Sequence, residues 1–464
     1  MKRRSYFYCG WTTTLNVILY TLSFGKYLWL EGRVVNGVFS NWLRRFRFRP
    51  AVFAQPTTEQ EIIAVIKNSS GIRAFGSGHS FNIGPVADHT LISLDNYSGL
   101  ISIDREKKQV AIKGGTRVRD VSRLLFENGL AISALPSHDA QSIAGIISTD
   151  VHGTGRDWGF VSQHVISIKL IDGLGEVHVL KPEDELFKAA IGGIGGVGII
   201  TEVTLQVVER FNLRQKVEMS RWSYVKQNLD QLLAKDVHMS LYLFPFTDRC
   251  QINSWNPTTD KRSFASPFRE YLAISIDALL AAWFANLMSY VGLLPKLSDF
   301  THGLKRGTNL VMESYKGFNR TVYHLHQELE FAVPYERTVE VCDRFLKLYE
   351  EMYAQQKLPY TLFEVRFTPG GHDRTMIGPG RERKTMWLDL LANDSHGFEE
   401  YFAVAEKLMR EVDARPHPGK FNESFGKEDL LKMHGANFVR FLELVKQHDP
   451  ERKFGNDFTR RLYG

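Results

Sequence analysis

Apolar side chains follow two periods along this chain, and their alternation defines its elements. Thr58-Glu59-Gln60-Glu61 has the form of a capping box, and Ile62, Ile63, Val65 and Ile66 follow at helical spacing until Gly71. Ile72–Phe75 reads as a short strand running into a glycine turn. Leu91–Leu94, Ile101–Ile103 and Val110–Ile112 are further short strands with turns between them. Val118–Asn128 is a helix stopped by Gly129. Val165–Ile171 and Val177–Leu180 form a hairpin around Asp172-Gly173, Glu185–Ala190 is a short helix and Ile199–Val208 a strand. Short strands mixed with helices make this half an α+β unit. From about Phe211 aromatics become frequent and glycines rarer, which places a boundary near Asn212. Beyond it, Thr361–Phe367 is a strand. Phe398–Val412 is an amphipathic helix with Phe398, Phe402, Ala405, Met409 and Val412 on one face.

Composition narrows the class. A chain of 464 residues suggests two or three domains, and 43% hydrophobic with 24% charged residues is ordinary globular usage. The net charge is +6, with basic residues concentrated at Lys2–Arg4 and at Arg44, Arg45, Arg47 and Arg49. That distribution suits an anionic membrane surface better than a nucleic-acid footprint, and no nucleic-acid partner is expected. Trp11–Gly25 is uncharged, and the apolar run resumes at Tyr27–Leu30 after Lys26. It reads equally as a membrane-associating segment or as a packed extension, so membrane-associated and cytoplasmic locations both stay open. Ala278–Pro295 is also uncharged, and a packed helix is favoured there over a span. Three scattered cysteines exclude a disulfide framework and a Cys-rich metal site, and His79, His152 and His417 lack metal-ligand spacing.

Three glycine-rich segments carry candidate chemistry. Gly193-Ile194-Gly195-Gly196-Val197-Gly198 matches the dinucleotide fingerprint, but a helix precedes it and a strand follows, the reverse of the order that fingerprint needs. Gly76-Ser77-Gly78-His79-Ser80 follows a strand, and its small residues leave backbone N–H groups free to face a pyrophosphate. Ser142-Ile143-Ala144-Gly145-Ile146-Ile147-Ser148-Thr149, leading into Val151-His152-Gly153-Thr154-Gly155, reads as a second such loop. Two of them suggest a long dinucleotide gripped by backbone at several points.

In order and spacing these segments, with Gly195–Thr201, resemble the FAD-binding (PCMH-type) domain of the vanillyl-alcohol oxidase family. Within it they are most similar to the sugar-1,4-lactone and alditol oxidases, D-arabinono-1,4-lactone oxidase among them. The resemblance covers roughly residues 41–464. It implies a PCMH-type domain of two α+β subdomains, residues 41–212, after an apolar and basic extension at 1–40. A mixed α/β substrate cap with an antiparallel sheet would span 213–410, and 411–464 would return to the FAD domain. It further implies that His79 carries a covalent bond to the flavin and that Gly76, Ser77, Gly78 and Ser80 hold the pyrophosphate. Ser142, Gly145, Thr149, His152, Gly153 and Thr154 would line the cofactor, with Ile199 and Ile200 near the adenine.

The second half adds candidate catalytic groups. In Phe363-Glu364-Val365-Arg366-Phe367, Glu364 and Arg366 share one strand face, so they pair with each other or line a polar pocket. Asp413-Ala414-Arg415-Pro416-His417-Pro418-Gly419-Lys420 is stiffened by two prolines and presents His417 and Lys420. By the resemblance, Glu364, Arg366, Lys420 and Ser142 contact substrate, and His417 lies near the flavin. Pro418 departs from the family's tryptophan. A histidine that alditol oxidases carry on the next strand falls near Trp387-Leu388-Asp389, where Asp389 replaces it. The implied reaction is oxidation of a CH–OH group of a small sugar lactone or polyol by hydride transfer to flavin N5, with O2 or another acceptor taking the electrons. Rival readings are a dehydrogenase feeding a membrane quinone or cytochrome, an oxidase of a lipid-linked sugar, and a non-catalytic flavin-retaining module.

Overall fold

A computed structural model describes residues 31–263, 284–305, 307–319, 326–356, 358–393 and 397–464. Trp11–Leu30 lies outside these residues. Among them, no helix is long and apolar enough to cross a membrane.

The first half is built on two main sheets, beside a small antiparallel sheet of Arg33–Val35, Val38–Ser40 and Arg47–Phe48 and a two-stranded pairing of Leu130–Ala131 with Val208–Glu209. Val52–Ala54, Thr90–Ser93 and Ile72–Phe75 make a parallel three-stranded sheet with Thr90–Ser93 in the centre. The helix Glu59–Lys67 covers it, burying Ile62 and Ile66. Its cap departs from a closed box. Thr58 Oγ1 accepts from Glu61 N at 3.2 Å, but the Glu61 carboxylate reaches Thr57 N at 2.6 Å. An antiparallel five-stranded sheet runs in the order Val177–Leu180, Val165–Ile171, Ile199–Gln206, Gln109–Lys113, Leu100–Asp104. The expected hairpin is present, with Ile171 opposite Val177. Glu185–Ala190 is a helix before the glycine run and Ile199–Gln206 a strand after it. The dinucleotide fingerprint therefore lacks its strand–loop–helix context.

The second half is built on an eight-stranded sheet whose paired neighbours are all antiparallel. Its order is Thr308–Glu313, Asn212–Arg221, Arg249–Thr258, His238–Leu243, Thr361–Thr368, Thr385–Asn393, His326–Pro334, Arg415–Pro416. Strand periodicity of two gives it two unlike faces. Leu241, Phe363, Val365, Leu388, Leu390, Leu329 and Phe331 point to one side. There they pack under the helices Trp222–Lys235, Thr338–Gln355 and Phe398–Glu411 in one continuous core. The opposite side carries Glu328, Glu330, Glu364, Arg366, Trp387 and Asp389, all buried. Burying this polar face requires partners, and the first half supplies them. Gly155 N donates to Phe367 O at 3.3 Å, and His152 Nε2 meets Glu330 Oε1 at 3.1 Å.

Two expectations change here. Ser142–Thr149 is not a loop: Ile143–Ser148 is a six-residue helix, and the Ser142 side chain caps it by accepting from Gly145 N. Of Ala278–Pro295, the described part starts at Phe284 and is not one helix. Ala285–Tyr290 and Leu294–Gly303 are separated at Gly292, whose φ of 75° leaves the helical region. The basic run at 44–49 also finds protein partners. The Arg45 guanidinium bonds Glu399 at 3.0 Å and lies 4.6 Å over the Phe398 ring.

Candidate active site

A cleft between the two main sheets of the first half is lined by Gly76, Ser77, Gly78, His79, Ser80, Ser142, Gly145, Thr149, Ile199 and Ile200. Its walls enclose about 1060 Å³, open solvent at the mouth included. The glycines are demanded by contact. A Cβ on Gly76 would stand 2.0 Å from Ser142 Oγ, and Gly78, at φ +62°, would meet Gly32 Cα at 2.8 Å. Gly76 thus packs against the Ser142 side chain and Gly78 against the Gly32 backbone around an extended groove, the cradle a dinucleotide pyrophosphate needs. Arg73, which sequence reasoning passed over, ties the rim together. Its guanidinium donates to the carbonyls of Gly84, Phe454 and Ile194 at 2.8–2.9 Å. The C-terminal segment returns to close the cleft. Ile72 N donates to Lys453 O at 2.7 Å, Asn456 Nδ2 bonds the carbonyls of Ile83, Gly84 and Val86, and Phe454 lines the groove.

His152, Gly153, Thr154 and His417 do not line this cleft. They belong to the polar face of the large sheet, or to its approach. His152 is buried and stacks on Trp387, ring centroids 3.6 Å apart. Gly153 presses against the Leu135 carbonyl, and the Thr154 carbonyl accepts from His238 Nδ1 at 2.6 Å. The His417–Phe421 stretch is stitched on both sides. His417 N and Phe421 N donate to Glu330 O and Glu328 O, while Phe81 N and Asn82 Nδ2 bond Gly419 O, Pro418 O and Lys420 O, all at 2.8–2.9 Å. Pro418 keeps its carbonyl in this net.

Strand register assembles the charged groups. Glu364 lies directly opposite Asp389, and Asp389 opposite Glu330, so three carboxylates form a row across three strands. Asp389, expected near this register, is the middle member. Arg366 Nη2 bonds Glu330 at 2.7 Å and Asp389 at 3.1 Å, closer than its own neighbour Glu364 at 3.9 Å. Lys420 Nζ bonds Glu328 and stands 3.7 Å from both Glu330 and Asp389. His326 Nε2 meets Glu328 Oε1 at 2.8 Å. The two sites join through aromatic rings: His79 stacks on Trp42 at 5.2 Å, Trp42 meets His326 at 5.4 Å, and His138 sits 4.2 Å from His79.

The electrostatics follow from this crowding. Burial disfavours the Glu330 charge, but Arg366 and His152 overcome it and hold the carboxyl well below the usual carboxylate range. Burial likewise opposes the Arg366 charge, and Glu330, Glu364 and Asp389 keep it protonated. Burial pushes the His417 imidazole down to about 4 and lowers that of His152. His417 is therefore neutral, and since Nδ1 accepts from Gly419 N at 3.0 Å, its proton sits on Nε2. His152 and His417, without ligand-like spacing in sequence, converge with Glu330 to within 4.8 Å. Glu328 and Glu330 were missed at the sequence level, although Gln327-Glu328-Leu329-Glu330-Phe331 alternates as Phe363–Phe367 does.

Known proteins resemble this chain over nearly its whole length. Residues 50–181 match an FAD binding domain family, and residues 203–462 match the D-arabinono-1,4-lactone oxidase family. An L-gulono-1,4-lactone dehydrogenase of Mycobacterium tuberculosis is 25% identical over 433 residues, covering 92% of this chain and 99% of its own. The L-gulonolactone oxidase of Bos taurus is 26% identical over 442 residues, covering 92% and 98%. Among solved structures, cholesterol oxidase from B. sterolicum superposes with a TM-score of 0.75 at 16% identity, covering 93% of this chain and 98% of that one, a likeness of fold. With more than half of its length matched to one family and the glycine cleft in place to receive FAD, the chain belongs to the D-arabinono-1,4-lactone oxidase family of FAD-dependent oxidoreductases.

Proposed function

We propose that this enzyme oxidises a CH–OH group of a neutral sugar-1,4-lactone, with O2 as the final acceptor and hydrogen peroxide as its product. The observation that carries the reading is the charge balance at the polar face. Four buried carboxylates, Glu328, Glu330, Glu364 and Asp389, face two cations, Arg366 and Lys420. Carboxylates are acceptors, and a polyhydroxylated ring brings donors. An anionic substrate would meet the excess negative charge and be refused.

FAD, when bound, supplies a two-electron hydride acceptor. The Gly76–Ser80 turn and Ser142 would hold its pyrophosphate, Ile199 and Ile200 its adenine side, and His79 would anchor it covalently. The chain's own groups do the rest. Glu330 and Glu364 accept hydrogen bonds from substrate hydroxyls and fix the carbon that is oxidised. As the hydroxyl proton departs, Arg366 and Lys420 stabilise the charge left on oxygen in a water-poor site. His152 and Trp387 form a stacked wall that keeps the carboxylate row from shifting. His417, neutral and held on Nδ1, keeps its proton on Nε2 and adds no charge to the ring.

The Mycobacterium relative is named a dehydrogenase, which favours a second reading in which an acceptor other than O2 takes the electrons. An oxygen electrode with L-gulono- and D-arabinono-1,4-lactone tests both readings. Oxygen uptake with peroxide formed in equal amount supports the oxidase. Turnover only when a dye is added replaces O2 with another acceptor, and no turnover with either lactone refutes the substrate class.

A further inference from the structure

Away from the cleft and the sheet face, a second cluster of ligating side chains holds the C-terminal helix against the first half of the molecule. Asp172 directly follows the strand Val165–Ile171, His178 lies on the returning strand Val177–Leu180, and His448 is the last residue of the helix Ala436–His448. None of the three lines the cofactor cleft. Asp172 Oδ2 stands 2.8 Å from His178 Nε2 and 3.1 Å from His448 Nδ1, and the two imidazoles meet nearly at right angles. Asp172 Oδ1 is already committed, accepting from the backbone N–H groups of Leu174 at 3.0 Å and Glu176 at 2.9 Å. The carboxylate is therefore fixed through one oxygen and offers the other. The two elements also touch too closely for a side chain: a Cβ on Gly173 would stand 2.6 Å from Asp449 Oδ1.

We propose that Asp172, His178 and His448 form a binding site for a divalent transition metal of the zinc class, clasping the C-terminal helix to the hairpin. The donor set, two imidazole nitrogens and one carboxylate oxygen, suits borderline cations. Zinc lies about 2.0–2.2 Å from such atoms, so tetrahedral ligands stand about 3.4 Å apart. All three donor atoms lie within 4.8 Å of one another, and the two bonded pairs need to part by only a few tenths of an ångström. The amide bonds to Oδ1 are the outer shell that orients a ligating carboxylate. His178 and His448 are half-buried, which leaves water to complete the coordination. The clasp has a structural consequence. Asp449, the next residue, accepts from Lys453 N at 2.8 Å and Phe454 N at 2.9 Å, and Phe454 lines the cofactor cleft. A metal here braces the turn that closes the groove.

The test is a titration of the EDTA-treated, dialysed full-length protein with ZnCl2, followed by calorimetry and by metal analysis after dialysis. It requires no turnover, so it stands or falls apart from the lactone reading. The expected result is one saturable Zn2+ per chain, a rise in melting temperature on addition, and loss of both in His178→Gln and in Asp172→Asn. Glutamine keeps a donor toward Asp172, so the first variant retains the hydrogen bond while removing the ligand. Absence of saturable uptake by the wild type overturns the proposal and leaves a hydrogen-bonded triad. Uptake unchanged in both variants overturns it equally, and moves the metal to other residues such as His152 and His417.

Discussion

Glu330 is the residue on which the polar sheet face turns. Its carboxylate touches Arg366 and His152 and stands 3.7 Å from Lys420, so its charge organises three neighbours. Replacing it by glutamine keeps the shape but removes the charge that holds Arg366 and His152 in place, leaving Arg366 to Asp389 and Lys420 to Glu328. Glu330→Gln should lower kcat by about 10²-fold or more while flavin content stays unchanged. Steady-state kinetics together with the visible spectrum check this pair of outcomes. Gly76→Ala acts at the other site. The new methyl would stand 2.0 Å from Ser142 Oγ, in the middle of the cradle, so the purified variant should carry little or no flavin. Much of this was legible at the residue level, since Gly76–Ser80, Glu364, Arg366 and Lys420 stand in short runs of recognisable chemistry. Glu328 and Glu330 were not. Their meaning depends on register: Glu330 reaches Arg366 only because the strand Thr385–Asn393, distant in sequence from the first of them, lies between their two strands.

At the scale of elements, the sheet's polar face must be held to the first half, and a buried pair does so. Asp150, at φ +47°, accepts from Ser162 Oγ at 2.6 Å and meets His372 Nε2 at 3.0 Å, with both side chains fully buried. His372 stacks on Phe160. Asp150→Ala strands two buried partners and should cost about 1–3 kcal/mol of stability per unpaired group. Chemical denaturation followed by tryptophan fluorescence measures it. The elements themselves were read well wherever their period was clear: Ile72–Phe75, the hairpin through Asp172-Gly173 and the helix Phe398–Glu411 stand within a residue or two of their expected bounds. The misses have physical causes. Ile143–Ser148 is too short to show helical periodicity, and its glycine and β-branched residues disguise it as a loop. In the apolar run ending at Pro295, uniform hydrophobicity concealed the break at Gly292.

For the molecule as a whole, burial of histidines predicts sensitivity to acid. Burial pushes His164 and His417 down to about 4 and His302 and His434 down to about 3. Each titrates near 6.5 in the unfolded chain. Between these limits the unfolded chain binds protons that the folded one refuses. The stability is complete above about pH 6.5 and is lost as pH falls toward 4. Burial raises the Asp139 carboxyl to about 6 and also raises that of Asp449, which act in the opposite sense, but His152 and His238 are lowered as well, so the buried histidines prevail. The melting temperature should therefore be lower at about pH 5 than at about pH 7. The boundary near Asn212 was expected from the chain's texture, and the returning C-terminus from the family resemblance. The contacts through which that terminus acts, Arg73 to Phe454 and Asn456 to three carbonyls, join residues some 370–380 apart and leave no local trace.

In the proposed reaction one cofactor cleft and one carboxylate-lined face act together on a neutral lactone. Anaerobic mixing of the flavin-loaded protein with L-gulono- or D-arabinono-1,4-lactone, followed at the flavin's visible band, tests it most directly. The band should bleach in the wild type and persist in Arg366→Met and Lys420→Ala, which still hold their flavin. A wild-type band untouched by either lactone, or equal bleaching in the two variants, would contradict it.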